Sequence, residues 1–277
     1  MDSFRRGNLL FDVLDSGPAD GTAVVLLHGF PQNARAFDRL SPALHAAGLR
    51  TLAPDQRGYS SGARPKGRSA YVLREVVDDV LALLDAAGLP DAHLVGHDWG
   101  GLAAWALAAW HPWRVRSLTV LSVPHPAAMT QALLSSDQAL RSSYIGFFQL
   151  PAVPEAVLLA GQGALLRRTL HGAGLPGDLV DAYLDRLREP GALTAALNWY
   201  RALPLEARTP VGTVRVPTLH VWGDRDPYLG RAAVEASAEY VAAPYRLEVL
   251  AGANHWLPEL SADRVGELLT AHVRAHP

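Results

Sequence analysis

Five short apolar runs recur along the 277-residue chain, at residues 23–30, 49–53, 93–95, 118–123 and 218–222. The first is continuously apolar up to a glycine, and the others repeat the theme. A strand written this way has both faces covered, which is the condition of a parallel sheet sandwiched between helices. Helical patterns lie between the runs, at residues 36–47, 71–87 and 102–110, the second with apolar residues at 72, 73, 76, 77, 80, 81 and 84. Strand and helix in alternation, joined by short loops, predict an α/β protein with a mostly parallel central sheet.

The alternation stops near Pro124. From 127 to 207 the chain reads as successive helical stretches broken at Pro151, Pro154, Gly172, Gly177 and Pro190, with no buried strand pattern. It resumes with a strand at 214–222, a helix at 232–241, a strand at 246–250 and a helix at 262–276. The expected organisation is therefore a discontinuous core, 1–126 and 208–277, carrying an all-helical insertion at 127–207.

The sharpest local signal is Gly96-His97-Asp98-Trp99-Gly100-Gly101, set between a predicted strand and a predicted helix. This is the spacing of a nucleophile elbow, where glycines permit a tight strand-to-helix turn that presents the central side chain above the sheet. The central residue here is Asp98. A carboxylate at a helix N-terminus faces unpaired N–H groups and the positive end of the dipole, so it is expected to be ionised and nucleophilic. Aspartate is also a common helix N-cap, and the motif alone does not separate the two roles.

The rest of the chain does. His255, in Gly252-Ala253-Asn254-His255-Trp256, follows a predicted strand, as does Asp226 in Trp222-Gly223-Asp224-Arg225-Asp226. Nucleophile, acid and histidine in that chain order, each at the carboxyl end of a strand, can converge. Asp224 competes with Asp226 for the acid, and the Gly-x-x-Asp spacing favours Asp226. His28-Gly29-Phe30-Pro31 ends the first buried strand; the amides of Phe30 and Trp99 are the expected oxyanion donors. His28 and His97 are read as packing and loop-fixing residues.

Composition excludes much else. A formal net charge of −2 without a basic block lacks the footprint of a nucleic-acid binder. The absence of cysteine removes disulfides, thiolate metal sites and cysteine nucleophiles. No H-E-x-x-H or similar ligand spacing occurs, so no metal and no cofactor is expected. The start lacks the apolar core of a signal peptide, and no run of about 18 apolar residues follows. A soluble, cytoplasmic protein without a membrane partner is expected, with a homodimer left open.

Taken together, His28-Gly29-Phe30-Pro31, Asp55-Gln56-Arg57-Gly58-Tyr59-Ser60, the elbow, and the Asp226 and His255 segments make nearly the whole chain resemble the α/β-hydrolase-fold epoxide hydrolases. The motifs are shared with dehalogenases of the same fold, so the choice falls to the helical insertion. There Tyr144-Ile145-Gly146-Phe147-Phe148-Gln149-Leu150-Pro151 and Asn198-Trp199-Tyr200-Arg201 look like the segments that carry the family's epoxide-activating tyrosines. The resemblance implies that Tyr144 and Tyr200 hold the epoxide oxygen while Asp98 forms a covalent ester, which His255, oriented by Asp226, hydrolyses through water. Phe147, Phe148 and Trp199 are expected to contact a lipophilic epoxide. Haloalkane dehalogenation would use Trp99 as one halide donor, but Phe30 stands where the second would be. Haloacid dehalogenation lacks the arginines expected after Asp98. A non-catalytic binding protein is the remaining alternative.

Overall fold

The computed structural model describes residues 1–277, the side chains of residues 207 and 208 excepted. Eight strands form one sheet: β1 (Ser3–Arg6), β2 (Leu9–Ser16), β3 (Thr22–Leu27), β4 (Leu49–Pro54), β5 (Ala92–His97), β6 (Val115–Leu121), β7 (Thr218–Gly223) and β8 (Tyr245–Leu250). Their order is β1-β2-β4-β3-β5-β6-β7-β8, parallel from β4 to β8 and antiparallel at the β1 and β2 edge.

Strands β5 and β7 are buried at every position. In β3 the period-2 geometry of a strand sends Val25 and Leu27 to one layer and Val24 and Leu26 to the other. The first layer is closed by α2 (Leu73–Ala86) and α3 (Trp99–Trp110), the second by α1 (Ser41–Ala46) and α12 (Ala262–Ala275). Helix α2 buries Leu73, Val76, Val77, Val80, Leu83 and Leu84, one face of a 3.6-residue period. Between β6 and β7 come α4 (Pro126–Ser135), α5 (Gln138–Arg141), α6 (Tyr144–Phe148), α7 (Val153–Gly172), α8 (Gly177–Leu187), α9 (Ala192–Ala202) and a 3₁₀ turn Leu203–Arg208. Helix α7 breaks at residues 160–163, which have non-helical dihedrals. The last short elements are α10 (Arg231–Ala236) and α11 (Leu257–Leu260).

Several expected elements change. The helix expected at 36–47 is a 3₁₀ turn, Ala34–Phe37, followed by the short α1, which begins beside Pro42. The helix expected from 102 starts at Trp99, because the elbow residues themselves enter it. The strand expected at 214–222 begins only at Thr218: Pro217 offers no N–H to a ladder, and Val214 makes an isolated bridge to Val241. The helix expected at 232–241 ends at Ala236 and continues as a 3₁₀ turn. Strands β1 and β2 were not anticipated. Leu9–Ser16 alternates, burying Phe11 and Val13 while Asp12 and Leu14 face outward, as an edge of the sheet requires. Among the described residues no single helix is long and apolar enough to cross a bilayer.

Candidate active site

Asp98 sits at the crest of the turn from β5 into α3 with φ 50° and ψ −121°, a conformation that a residue with a Cβ adopts only when its surroundings hold it there. Close packing does so. A Cβ on Gly100 would lie 2.1 Å from the Leu27 carbonyl oxygen, and one on Gly29 would lie 2.3 Å from the Asp98 Cβ. Only glycine fits at either place. Asp98 occupies the N-cap position of α3, yet its side chain makes no capping bond. Instead its Oδ1 accepts the Phe30 amide at 2.8 Å, while a fifth of the side chain stays open. Burial pushes the Asp98 carboxyl above the usual range, outweighing His255 and the Phe30 and Trp99 amides, which pull it down. Desolvation thus works against the ionised form that a helix N-terminus favours.

Opposite stands His255, 2% exposed, its Nε2 3.7 Å from Asp98 Oδ2. That is beyond hydrogen-bond length. Its Nδ1 lies 2.7 Å from Asp226 Oδ2. The other oxygen of Asp226 accepts the Tyr228 and Leu229 amides at 2.8 and 3.0 Å, so the carboxylate is held from both sides. Asp224 faces elsewhere; its Oδ1 accepts the Gly252 amide at 2.7 Å. Burial pulls the His255 pKa down, but Asp226 and then Asp98 pull it up, and the net direction is upward.

The helical segment supplies the roof. Tyr144 on α6 and Tyr200 on α9 have ring centroids 6.1 Å apart and line one cavity of about 630 Å³ with Asp98 and Trp99. Desolvation drives both phenols far above their ordinary pKa, with the Asp98 charge adding to it, so both keep their protons. Tyr200 packs edge-on against Trp99 at 4.7 Å, Phe148 at 4.9 Å and Phe30 at 5.6 Å.

Phe147, Phe148 and Trp199 do not line this cavity. Phe148 packs edge-on against both Tyr144 and Tyr200, and Trp199 is buried with its Nε1 donating to the Arg57 carbonyl at 2.8 Å. Phe148 and Trp199 belong to the buried apolar core, and Phe147 packs against it. The walls are Leu102, Val123, Met129, Ile145, Leu203 and Leu229, none singled out from sequence. Tyr228 was missed as well. It lines the cavity and sets its ring edge-on to His255 at 5.0 Å. Its place two residues after Asp226 was a legible signal. His28 and His97 are wholly buried, and burial drives both pKa values down. Among the described residues no group of three or more His, Asp or Glu side chains is assembled for a metal.

A strained aspartate elbow, a histidine on a buried carboxylate and a parallel sheet holding both define a class, and the chain belongs to it: residues 22–262 match the alpha/beta hydrolase fold family. Among individual proteins, it is 34% identical to "Epoxide hydrolase A" of Mycobacterium tuberculosis, covering 94% of this chain and 91% of that one. It is also 34% identical to the "AB hydrolase superfamily protein YfhM" of Bacillus subtilis, over 98% and 96% of the two chains. The crystal structure of epoxide hydrolase A from Mycobacterium thermoresistibile superposes with a TM-score of 0.86 at 30% identity, covering 98% and 97%.

Proposed function

We propose that this protein is an epoxide hydrolase that converts a small-molecule epoxide to a vicinal diol without a cofactor. The observation that carries it is the division of labour at Asp98: Oδ1 rests on the Phe30 amide, Oδ2 faces His255, and two protonated phenols share the cavity. Residues 127–207 act as a cap on the core formed by 1–126 and 208–277.

In the first step Oδ2 of Asp98 attacks a ring carbon. The C–O bond breaks, and the departing oxygen takes a proton from Tyr144 or Tyr200, leaving a hydroxyalkyl ester. Opening a neutral epoxide generates alkoxide character, so phenols held as acids act where the charge develops. In the second step His255 Nε2 removes a proton from water, whose oxygen attacks Asp98 Cγ. The charge collects on Oδ1, against the Phe30 and Trp99 amides, and the Cγ–Oδ2 bond breaks to release the diol, protonated from His255; the carboxylic acid so formed at Asp98 returns its proton to the phenolate. Asp226 holds the imidazole in the tautomer that leaves Nε2 free to accept. The apolar walls support a lipophilic substrate.

His255→Gln is expected to form the ester and stall, raising the intact mass by that of the epoxide. Absence of that adduct overturns the scheme. A single turnover in ¹⁸O-water should give unlabelled diol and label Asp98; labelled diol in that first turnover indicates direct attack by water. Chloroalkanes and bromoalkanes assayed beside the epoxides are expected to be turned over poorly or not at all.

A further inference from the structure

Glu259 lies on α11, four residues beyond His255, only 3% exposed, and takes no part in the chemistry above. Its Oε1 accepts from Gln32 Nε2 at 2.7 Å and from the Tyr183 hydroxyl at 2.9 Å, while Oε2 has no partner. A buried carboxyl with an idle oxygen is costly, which calls for a reason to keep it. Burial pushes its pKa up, and the bonds from Gln32 and Tyr183 pull it back.

Gln32 shows the reason. It is wholly buried, and its Oε1 accepts the Gly29 amide at 2.9 Å and lies 2.8 Å from His97 Nδ1. The other nitrogen of His97 lies 2.9 Å from the main-chain oxygen of His255, to which Ser122 Oγ also donates at 3.0 Å. Burial keeps the His97 ring neutral, so its single N–H can donate to only one of these two oxygens. A primary amide has two faces, and rotated by half a turn it would aim its NH₂ at the Gly29 N–H. The carboxylate prevents that, since it accepts only from the NH₂.

We propose that Glu259 is a positioning residue for the reaction: by fixing which way the Gln32 amide faces, it sets the Gly29-Phe30 peptide over Asp98 and the main chain of His255. Tyr183, on α8 of the helical segment, shares the same oxygen and ties that segment to the amide loop. The inference rests on the hydrolase reading above.

Loss of this control falls on the second step, which uses both the oxyanion amides and the base, and falls less on the first, where Asp98 attacks with the phenols in place. Glu259→Leu is expected to slow ester hydrolysis about 10- to 100-fold, the scale of a small misplacement of reacting groups. Ester formation should fall less than about threefold, so the ester accumulates in rapid-quench intact-mass traces. Glu259→Gln, whose amide donates as well as accepts, no longer dictates which way Gln32 faces and should recover only part of the lost hydrolysis rate; full recovery overturns the orientation role. Should Glu259→Leu fail to fold, Gln32→Leu cuts the same chain and is read in the same way. Equal slowing of both steps, or no change in either, overturns the proposal. His255→Gln separates the two levels: without an ester there the hydrolase reading fails, whereas an ester there and an unaltered partition in Glu259→Leu sinks the Glu259 role alone.

Discussion

The two halves of the site are held by different physics. Asp98, Asp226 and His255 follow the carboxyl ends of β5, β7 and β8, and directional bonds to main-chain amides or to one another fix them at 2.7 to 3.0 Å. Tyr144 and Tyr200 stand on helices of the inserted segment and are held by ring packing at centroid distances of 4.7 to 6.1 Å. Hydrogen bonds to a sheet-anchored backbone define position to a fraction of an ångström, whereas aromatic contacts define a neighbourhood. The core can therefore carry bond making, and the roof can accommodate differently shaped substrates.

The largest effect belongs to the core. Asp98→Ala should abolish ester formation, with a loss of roughly 10⁶-fold, the scale seen when a covalent nucleophile is removed; appreciable residual turnover would break the division of labour. Next come the phenols. Tyr144→Phe or Tyr200→Phe should slow ring opening, within the roughly 10²- to 10⁴-fold that a positioned acid contributes, and the double variant should lose more than either. A full loss from one substitution would show that a single phenol is the acid.

The pH dependence sharpens the contrast in a third way. His255 accepts a proton from water only when neutral, so hydrolysis is lost as pH falls through its pKa, which lies above the ordinary 6.5 in the resting protein. Esterification removes the Asp98 charge that helps to raise that value. The acid limb of single-turnover ester hydrolysis should thus lie at lower pH than the His255 titration followed by NMR in the free protein, and coincidence of the two would contradict this coupling.

Phe148→Ala removes the ring packed edge-on against both tyrosines. It should cost about 3 kcal/mol, lower the Tm and slow ring opening, while hydrolysis of the ester once formed changes little. The smallest effect is expected at Asp224. Asp224→Asn keeps an oxygen for the Gly252 amide and should leave turnover within about twofold, since exposed polar exchanges outside a network are close to neutral.

Much of the core was legible because a strand covered on both faces is mainly apolar, a pattern plainest in β3 and interrupted by Arg50 in β4, Arg116 in β6 and His220 in β7. The β1 and β2 hairpin escaped because its alternating pattern acquires meaning only beside its partner β4. The helix at 36–47 was overextended because its apolar residues suit a 3₁₀ turn followed by a short helix equally well. At the site, Asp98, Asp226 and His255 could be named from spacing, and Phe30 and Trp99 from their places after a strand and after the nucleophile. The cavity wall was misjudged: adjacent aromatic residues on one helix point in different directions, and hydropathy is the same for a ring against substrate and a ring against the core.

Local sequence determined the sheet, the elbow and the chain order of Asp98, Asp226 and His255, because periodicity and the steric demands of glycine operate over a few residues. Tertiary packing alone decided that Phe148 and Trp199 support the cavity from behind, that Tyr228 enters it, and that Glu259 reaches Gln32. Those relations join segments up to 227 positions apart, and a contact across that separation is set by how the layers stack rather than by any pattern within either segment.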